Sequence, residues 1–124
     1  NLEAALKTVA LIGQAAAIGD GRKFCTAILV LDPEAAAVWA RTAGRDDATP
    51  AELAGDAAVI TEVQEGVDRI NRQFAQVEQI KKFTLVGEEW LPDSDVLTPT
   101  SKLKRRGVNA RYAAEIEAMY EGLD

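Results

Sequence analysis

The chain of 124 residues contains no histidine and a single cysteine. Without histidine there is no Ser-His-Asp arrangement and no imidazole for proton transfer. A zinc site built from nitrogen and sulfur donors is also excluded. Cys25 has no second cysteine to pair with, so an internal disulfide is impossible, and a reduced, cytoplasmic setting is the expectation. Long apolar runs are missing too. The best, "AILVL" from Ala27 to Leu31, has the length of a strand, well short of the roughly 18–20 residues that span a bilayer. The start, "NLEAALKT", is no signal peptide. It lacks Met and enters an amphipathic helix at once, which reads as a piece of a longer chain. The net charge of −6 argues against a general nucleic-acid binder, which would carry a basic face.

What is present suits one domain with a core. The hydrophobic fraction is 48% and the charged fraction 27%, ordinary for a globular protein. Asn1 caps a short helix over Leu2 to Lys7. "LIGQAAAIGDG" reads as a strand ending in a Gly19-Asp20-Gly21 turn, and "KFCTAILVLD" as a second, more buried strand. Together they form a hairpin whose turn Asp20 and Arg22 shape or decorate. "IGDGRK" lacks the glycine spacing and lysine of a phosphate-binding loop.

Asp32-Pro33-Glu34 opens a helix that runs to Gly44, and Thr49-Pro50 opens another. A longer helix is predicted from Asp56 to Phe74, with Val59, Val63, Val67, Ile70 and Phe74 on one face. Gly66 inside it weakens helix propensity. Trp39 and Phe74 are expected in the core. A strand follows around Lys82 to Val86, then a loop of about 15 residues with Trp90 packing its base. A last helix from Val108 to Leu123 places Val108, Tyr112, Ile116, Met119 and Leu123 on one face. The fold class is α+β: about three strands, including the hairpin, packed with about five helices.

The loop ends in "LTPTSKLKRRG", which brings Lys102, Lys104, Arg105 and Arg106 into five positions directly before a helix. A helix N-terminus carries partial positive charge and is normally stabilised by acidic residues, so this cluster opposes the local field. Solvated charge is one reading. The other is an anionic partner, since a lysine ammonium is a compact charge suited to phosphate or to developing negative charge.

The run "VEQIKKFTLVGEEWLPDSDVLTPTSKLKRRGV" closely resembles the C-terminal end of long-chain fatty acyl-CoA synthetases, members of the AMP-forming adenylate superfamily. "IGDGRKFCTAILVLDPE" resembles the hairpin of the same domain, and the resemblance covers essentially the whole chain. It implies that residues 1–124 are the mobile C-terminal lid of such an enzyme, without its hinge and its N-terminal domain. The lid alone is then expected to be inert. The full enzyme would join a fatty acid to ATP, giving acyl-AMP, and then form acyl-CoA. ATP and Mg²⁺ would be held mainly by the N-terminal domain, with CoA as co-substrate.

Aligned on Pro99-Thr100-Ser101-Lys102, the family's active-site lysine falls on Lys102. The wider superfamily usually has Gly before that lysine, whereas this chain has Ser101, and the long-chain branch commonly lacks that Gly. Lys104 and Arg105 follow the family pattern as weaker candidates for ligand contact, and Arg106 ranks below them. Lys81 and Lys82 fall near the implied CoA path, against the alternative of solvated strand-edge charge. The resemblance also implies that a lysine acetyltransferase acts on Lys102, and it allows peripheral membrane contact by the full enzyme. Two other readings remain open on the sequence. One is the lid of a fatty acyl-AMP ligase that passes its product to a carrier protein. The other is a non-catalytic module that docks partners through the basic loop.

Overall fold

The computed structural model describes residues 1–121. Among them three strands, β1 (Ile12–Ile18), β2 (Cys25–Leu31) and β3 (Ile80–Val86), form one sheet in the order β1-β2-β3. The first two are the expected hairpin, antiparallel from Ile12 opposite Leu31 to Ile18 opposite Thr26. The third runs parallel to β2, with Thr26 opposite Lys82 and Val30 opposite Val86. A parallel neighbour needs a crossover. Here the crossover is helical: α2 (Pro33–Thr42), α3 (Pro50–Ala54) and α4 (Ala57–Asn71), then a single 3-10 turn at Gln76–Glu78.

The helix starts follow from their caps. Asp32 accepts from the Ala35 amide at 2.9 Å, with Pro33 opening α2. Thr49 and Glu52 exchange bonds with each other's amides, a complete capping box on α3. Asp56 accepts from the Ala58 and Val59 amides at the head of α4. At the N-terminus Asn1 accepts from Ala4, heading α1 (Leu2–Leu6).

Because β2 lies in the middle, its side chains alternate between two cores. Ala27, Leu29 and Leu31 point into a core shared with α1 to α4, where Val59, Val63, Val67 and Ile70 supply the α4 stripe. Ile28 and Val30 point the other way, into a core with Trp90, Val96, Leu97, Val108, Tyr112, Ile116, Met119 and Tyr120. The sheet is thus sandwiched between the helical crossover and the C-terminal segment. None of the described helices is long and apolar enough to cross a membrane.

Four sequence expectations are modified. The long helix stops at Asn71, and Phe74 packs half-buried on the first core from beyond it, as Trp39 does from α2. Gly66 has a packing role: a Cβ there would lie 2.6 Å from Val9 Cγ1, so α4 approaches the Val9 side chain, three residues beyond α1, through its bare backbone. The last helix is broken at Tyr112 (φ −110°, ψ 25°) into α5 (Arg105–Arg111) and α6 (Ala113–Tyr120), giving six α-helices among the described residues. Val108, Tyr112, Ile116 and Met119 are buried as the periodicity requires, and Leu123 lies outside the described residues. Finally, α5 begins at Arg105, so Arg105 and Arg106 belong to a helix rather than to the loop.

Candidate functional site

The segment from Gly87 to Lys104 contains no helix or strand, yet it is built to a definite shape. Its base is Trp90, buried in the second core, whose indole N–H donates to the Tyr112 hydroxyl at 2.9 Å. Tyr112 in turn donates to Glu88, and Arg111 pairs with both Glu88 (3.2 Å) and Asp95 (3.4 Å). Burial, then the bond to Glu88, push the Tyr112 phenol up to about 12. Val96 and Leu97, both buried, anchor the rising limb.

Above that base the chain makes a miniature hairpin. Leu97 and Leu103 form an isolated antiparallel bridge, and the Thr98 amide donates to the Lys102 carbonyl at 2.8 Å. The Ser101 amide closes the turn on the Thr98 carbonyl at 2.9 Å. Ser101 itself has φ 63°, in the left-handed region. A turn followed by one left-handed residue is how three-residue hairpin connections close, and glycine suits that position best. Serine therefore occupies here a backbone geometry that glycine would adopt without strain.

Lys102 combines a fixed backbone with an unengaged side chain. Its amide donates to Thr98 Oγ1 at 3.0 Å and its carbonyl accepts from the Thr98 amide. The side chain is exposed, and no ion pair or hydrogen bond holds its ammonium within the described residues. The neighbouring cations differ. Lys104 Nζ donates to the Ser94 carbonyl at 2.8 Å, and its amide donates to the Val96 carbonyl. Arg105 donates through both terminal nitrogens to the Glu3 carboxylate, at 2.7 and 2.9 Å. Arg106 is exposed at the head of α5, again without a partner among the described residues.

Lys81 and Lys82 lie apart from this group, exposed on β3 at the opposite edge of the sheet from β1. Two strand spacings, about 10 Å, separate the edge strands. Arg22 and Asp20 sit in the hairpin turn as expected. Arg22 pairs with Glu117 and lies over the Tyr120 ring at 4.4 Å, docking the turn on α6. Two structural contributors escaped the sequence reading: Glu3, 102 positions before its partner, and Tyr112, whose periodicity marked it as core but not as a hydrogen-bond centre.

Of the four cations, then, two are tied into the domain and two face outward, and only Lys102 does so from a backbone fixed by two hydrogen bonds. Such a group can place one positive charge at a defined point against an anion brought from outside the domain.

Comparison with known proteins gives this loop a context. The model of the family described as the AMP-binding enzyme C-terminal domain matches residues 1–124. A Mycobacterium tuberculosis protein named as a fatty-acid–CoA ligase, fadD11, is 44% identical over 110 residues, which are 89% of this chain and 19% of that protein. The long-chain-fatty-acid–CoA ligase FadD15 of the same organism is 37% identical over 123 residues, 96% of this chain and 20% of its own length. Among solved structures, the A domain of carboxylic acid reductase from Segniliparus rugosus, in complex with AMP and a co-purified carboxylic acid, superimposes with a TM-score of 0.73. Its identity is 26%, covering 99% of this chain and 18% of that one. The chain spans about a fifth of the length of these relatives.

Proposed function

The chain belongs to the family of AMP-binding enzyme C-terminal domains, and from that membership we propose that it is the catalytic lid of a long-chain fatty-acid–CoA ligase. The substrate class follows the names of the relatives at 44% and 37% identity. The observation that carries the chemical role is Lys102, whose backbone is fixed while its ammonium is unengaged.

In the first half-reaction an oxygen of the fatty carboxylate attacks the α-phosphorus of ATP. The bond to pyrophosphate breaks, and acyl-AMP forms. Nucleophile and electrophile are both anionic, and negative charge builds on the phosphoryl oxygens. A cation placed there offsets the repulsion most where the charge is greatest, which lowers the barrier rather than merely tightening binding. In the second half-reaction the CoA thiol displaces AMP from the acyl carbon, and the lysine is no longer needed at that centre. The lid would turn away between the two steps, as mobile domains do when they gate a reaction.

The Mg²⁺ expected with ATP, the nucleotide and the fatty acid are assigned to the N-terminal domain, the lid's principal partner, through the same family membership. Lys81 and Lys82, exposed on β3, are assigned to the approach of the CoA nucleotide through the family resemblance, and their charge suits that role.

The test uses the full-length enzyme and separates the half-reactions. Lys102→Ala should lower acyl-AMP formation, followed by pyrophosphate release, by about 10²–10³-fold, the usual effect of losing one preorganised charge-stabilising group. Thioester formation from supplied acyl-AMP should stay within about threefold. Acetylation of Lys102 removes the same charge and should reproduce the split. Damage confined to the second half-reaction would refute the assignment, and turnover that does not depend on CoA would refute the acceptor.

A further inference from the structure

We infer that Glu3 and Arg105 form a positioning clamp that sets where Lys102 stands relative to the body of the domain. The inference rests on the adenylation role proposed for Lys102. Arg105 follows Lys102 by three positions and opens α5, so displacing its Cα displaces the descending limb of the lysine hairpin. Its guanidinium grips the Glu3 carboxylate in a two-pronged contact, at 2.7 and 2.9 Å, and Nη1 also reaches the Ala17 carbonyl at 3.5 Å. Glu3 completes the junction by accepting from the Ala17 amide at 2.8 Å. Three elements thus meet at one carboxylate: α1, the free edge of β1, and the start of α5.

The geometry is that of a brace. A bidentate arginine–carboxylate contact fixes direction as well as distance, which a lysine at the same place would not do. Glu3 is half-buried, and its carboxyl lies below its ordinary range. Burial alone would raise it, but the Arg105 bond, the Ala17 amide and the nearby Arg105 and Lys7 charges together outweigh burial. On the same limb, Lys104 ties the hairpin back to Ser94 and Val96 ahead of it. That attachment is internal to the loop, whereas the Glu3–Arg105 contact ties the loop to the sheet edge.

Arg105 follows the pattern of a ligand-contacting residue, so the experiment must separate bracing from direct phosphate contact. Glu3 does this, because Glu3→Gln removes the brace while leaving Arg105 free for any anion. It also keeps an acceptor for the Ala17 amide, which protects folding. In the full-length enzyme, Glu3→Gln and Arg105→Ala should each lower the kcat of acyl-AMP formation by about tenfold to a hundredfold, the scale set by ångström misplacement of a reacting group. Thioester formation from supplied acyl-AMP should stay within twofold and the melting temperature within a few degrees. Lys102→Ala, run alongside, reports on the underlying reading: intact adenylation in that variant removes the role of Lys102 itself. If Lys102→Ala is damaged but Glu3→Gln adenylates normally while Arg105→Ala does not, Arg105 touches substrate and the clamp is wrong. If Glu3→Gln slows both half-reactions together with a large loss of thermal stability, the pair is a general structural contact and the inference is equally overturned.

Discussion

Replacing Gly107 by alanine sets two effects of opposite sign against each other. Gly107 is the third residue of α5. Helix propensity alone predicts that alanine would stabilise that position by about 1 kcal/mol. The structure predicts the reverse. A Cβ at Gly107 would lie 1.6 Å from the Asp95 carbonyl oxygen, against the 3 Å or more of a real contact. That oxygen belongs to backbone and cannot rotate away, so the Asp95 limb must move by more than an ångström. It is poorly free to do so. Val96 and Leu97 beside it are buried, and the Val96 carbonyl holds the Lys104 amide at 2.8 Å.

Forcing extra volume into such a place costs about 1–3 kcal/mol, and losing the Lys104 bond adds roughly 1. After the propensity gain, Gly107→Ala should destabilise the domain by about 1–3 kcal/mol, or roughly 4–12 °C in Tm for a domain of this size. Gly55 is the control: it has no positive φ, and the nearest atom to a Cβ there is 3.8 Å away. Gly55→Ala should stay within about 0.5 kcal/mol of the parent or improve on it. Urea unfolding followed by far-UV circular dichroism measures both. An unchanged or higher midpoint for Gly107→Ala would show that the Asp95 limb yields freely, and the idea of a rigid lysine hairpin would fall with it.

Two further substitutions probe the same loop. At Ser101, with φ 63°, glycine should leave stability within about 0.5 kcal/mol of the parent, because relief of strain and the added freedom of the unfolded chain offset each other. Valine there should cost about 1–2 kcal/mol, readable in the same urea titration, and a valine variant as stable as the parent would contradict the left-handed geometry. Tyr112→Phe should cost about 1–3 kcal/mol at neutral pH by leaving the buried Trp90 N–H without its acceptor. The phenol is raised to about 12 in the folded chain, against about 10 when exposed, so its contribution is complete below pH 10 and declines as the pH rises toward 12. The stability gap between parent and Tyr112→Phe should therefore narrow across that window, and a gap constant to pH 12 would refute the sign.

What could be read from the sequence was chemistry contained within about four residues. Asp32-Pro33, Thr49-Pro50 and the α4 stripe specify their helices locally, and the structure uses each, except that α4 stops at Asn71 before Phe74. The short apolar run of β2 marks a strand buried on both faces, which its two cores confirm. What could not be read was proximity between distant segments. The run around Lys82 to Val86 indicates a strand but not that it lies parallel to β2, since that depends on the length and packing of the whole crossover. Gly66 counts against a helix when only propensity is considered, and takes on a packing role once Val9 is brought against it. The Glu3 partner of Arg105 and the break at Tyr112 belong to the same class, contacts that exist only after the chain has folded.

The basic cluster, which opposes the dipole of α5, is explained by how its charges are divided. No side chain caps α5, and no acidic residue lies in its first turn. The missing negative charge comes instead from Glu3 on α1, which meets Arg105 at the helix start. Lys104 is taken up by the Ser94 carbonyl, leaving Arg106 on α5 and Lys102 on its hydrogen-bonded hairpin as the cations presented outward. The cost of ordering that hairpin decides why it should be fixed. Confining one residue costs about 1–2 kcal/mol, so ordering residues 98–102 anew in every catalytic cycle would cost on the order of 5–10 kcal/mol. A single positioned cation contributes only a few kcal/mol to a transition state, so a lysine on a disordered loop would lose more to ordering than its charge supplies. In this domain the turn at Ser101, the Leu97–Leu103 bridge and the Glu3–Arg105 contact meet that cost during folding. On the role proposed for Lys102, only the lysine side chain would be left to be ordered at the moment of reaction, and its charge would then act nearly in full.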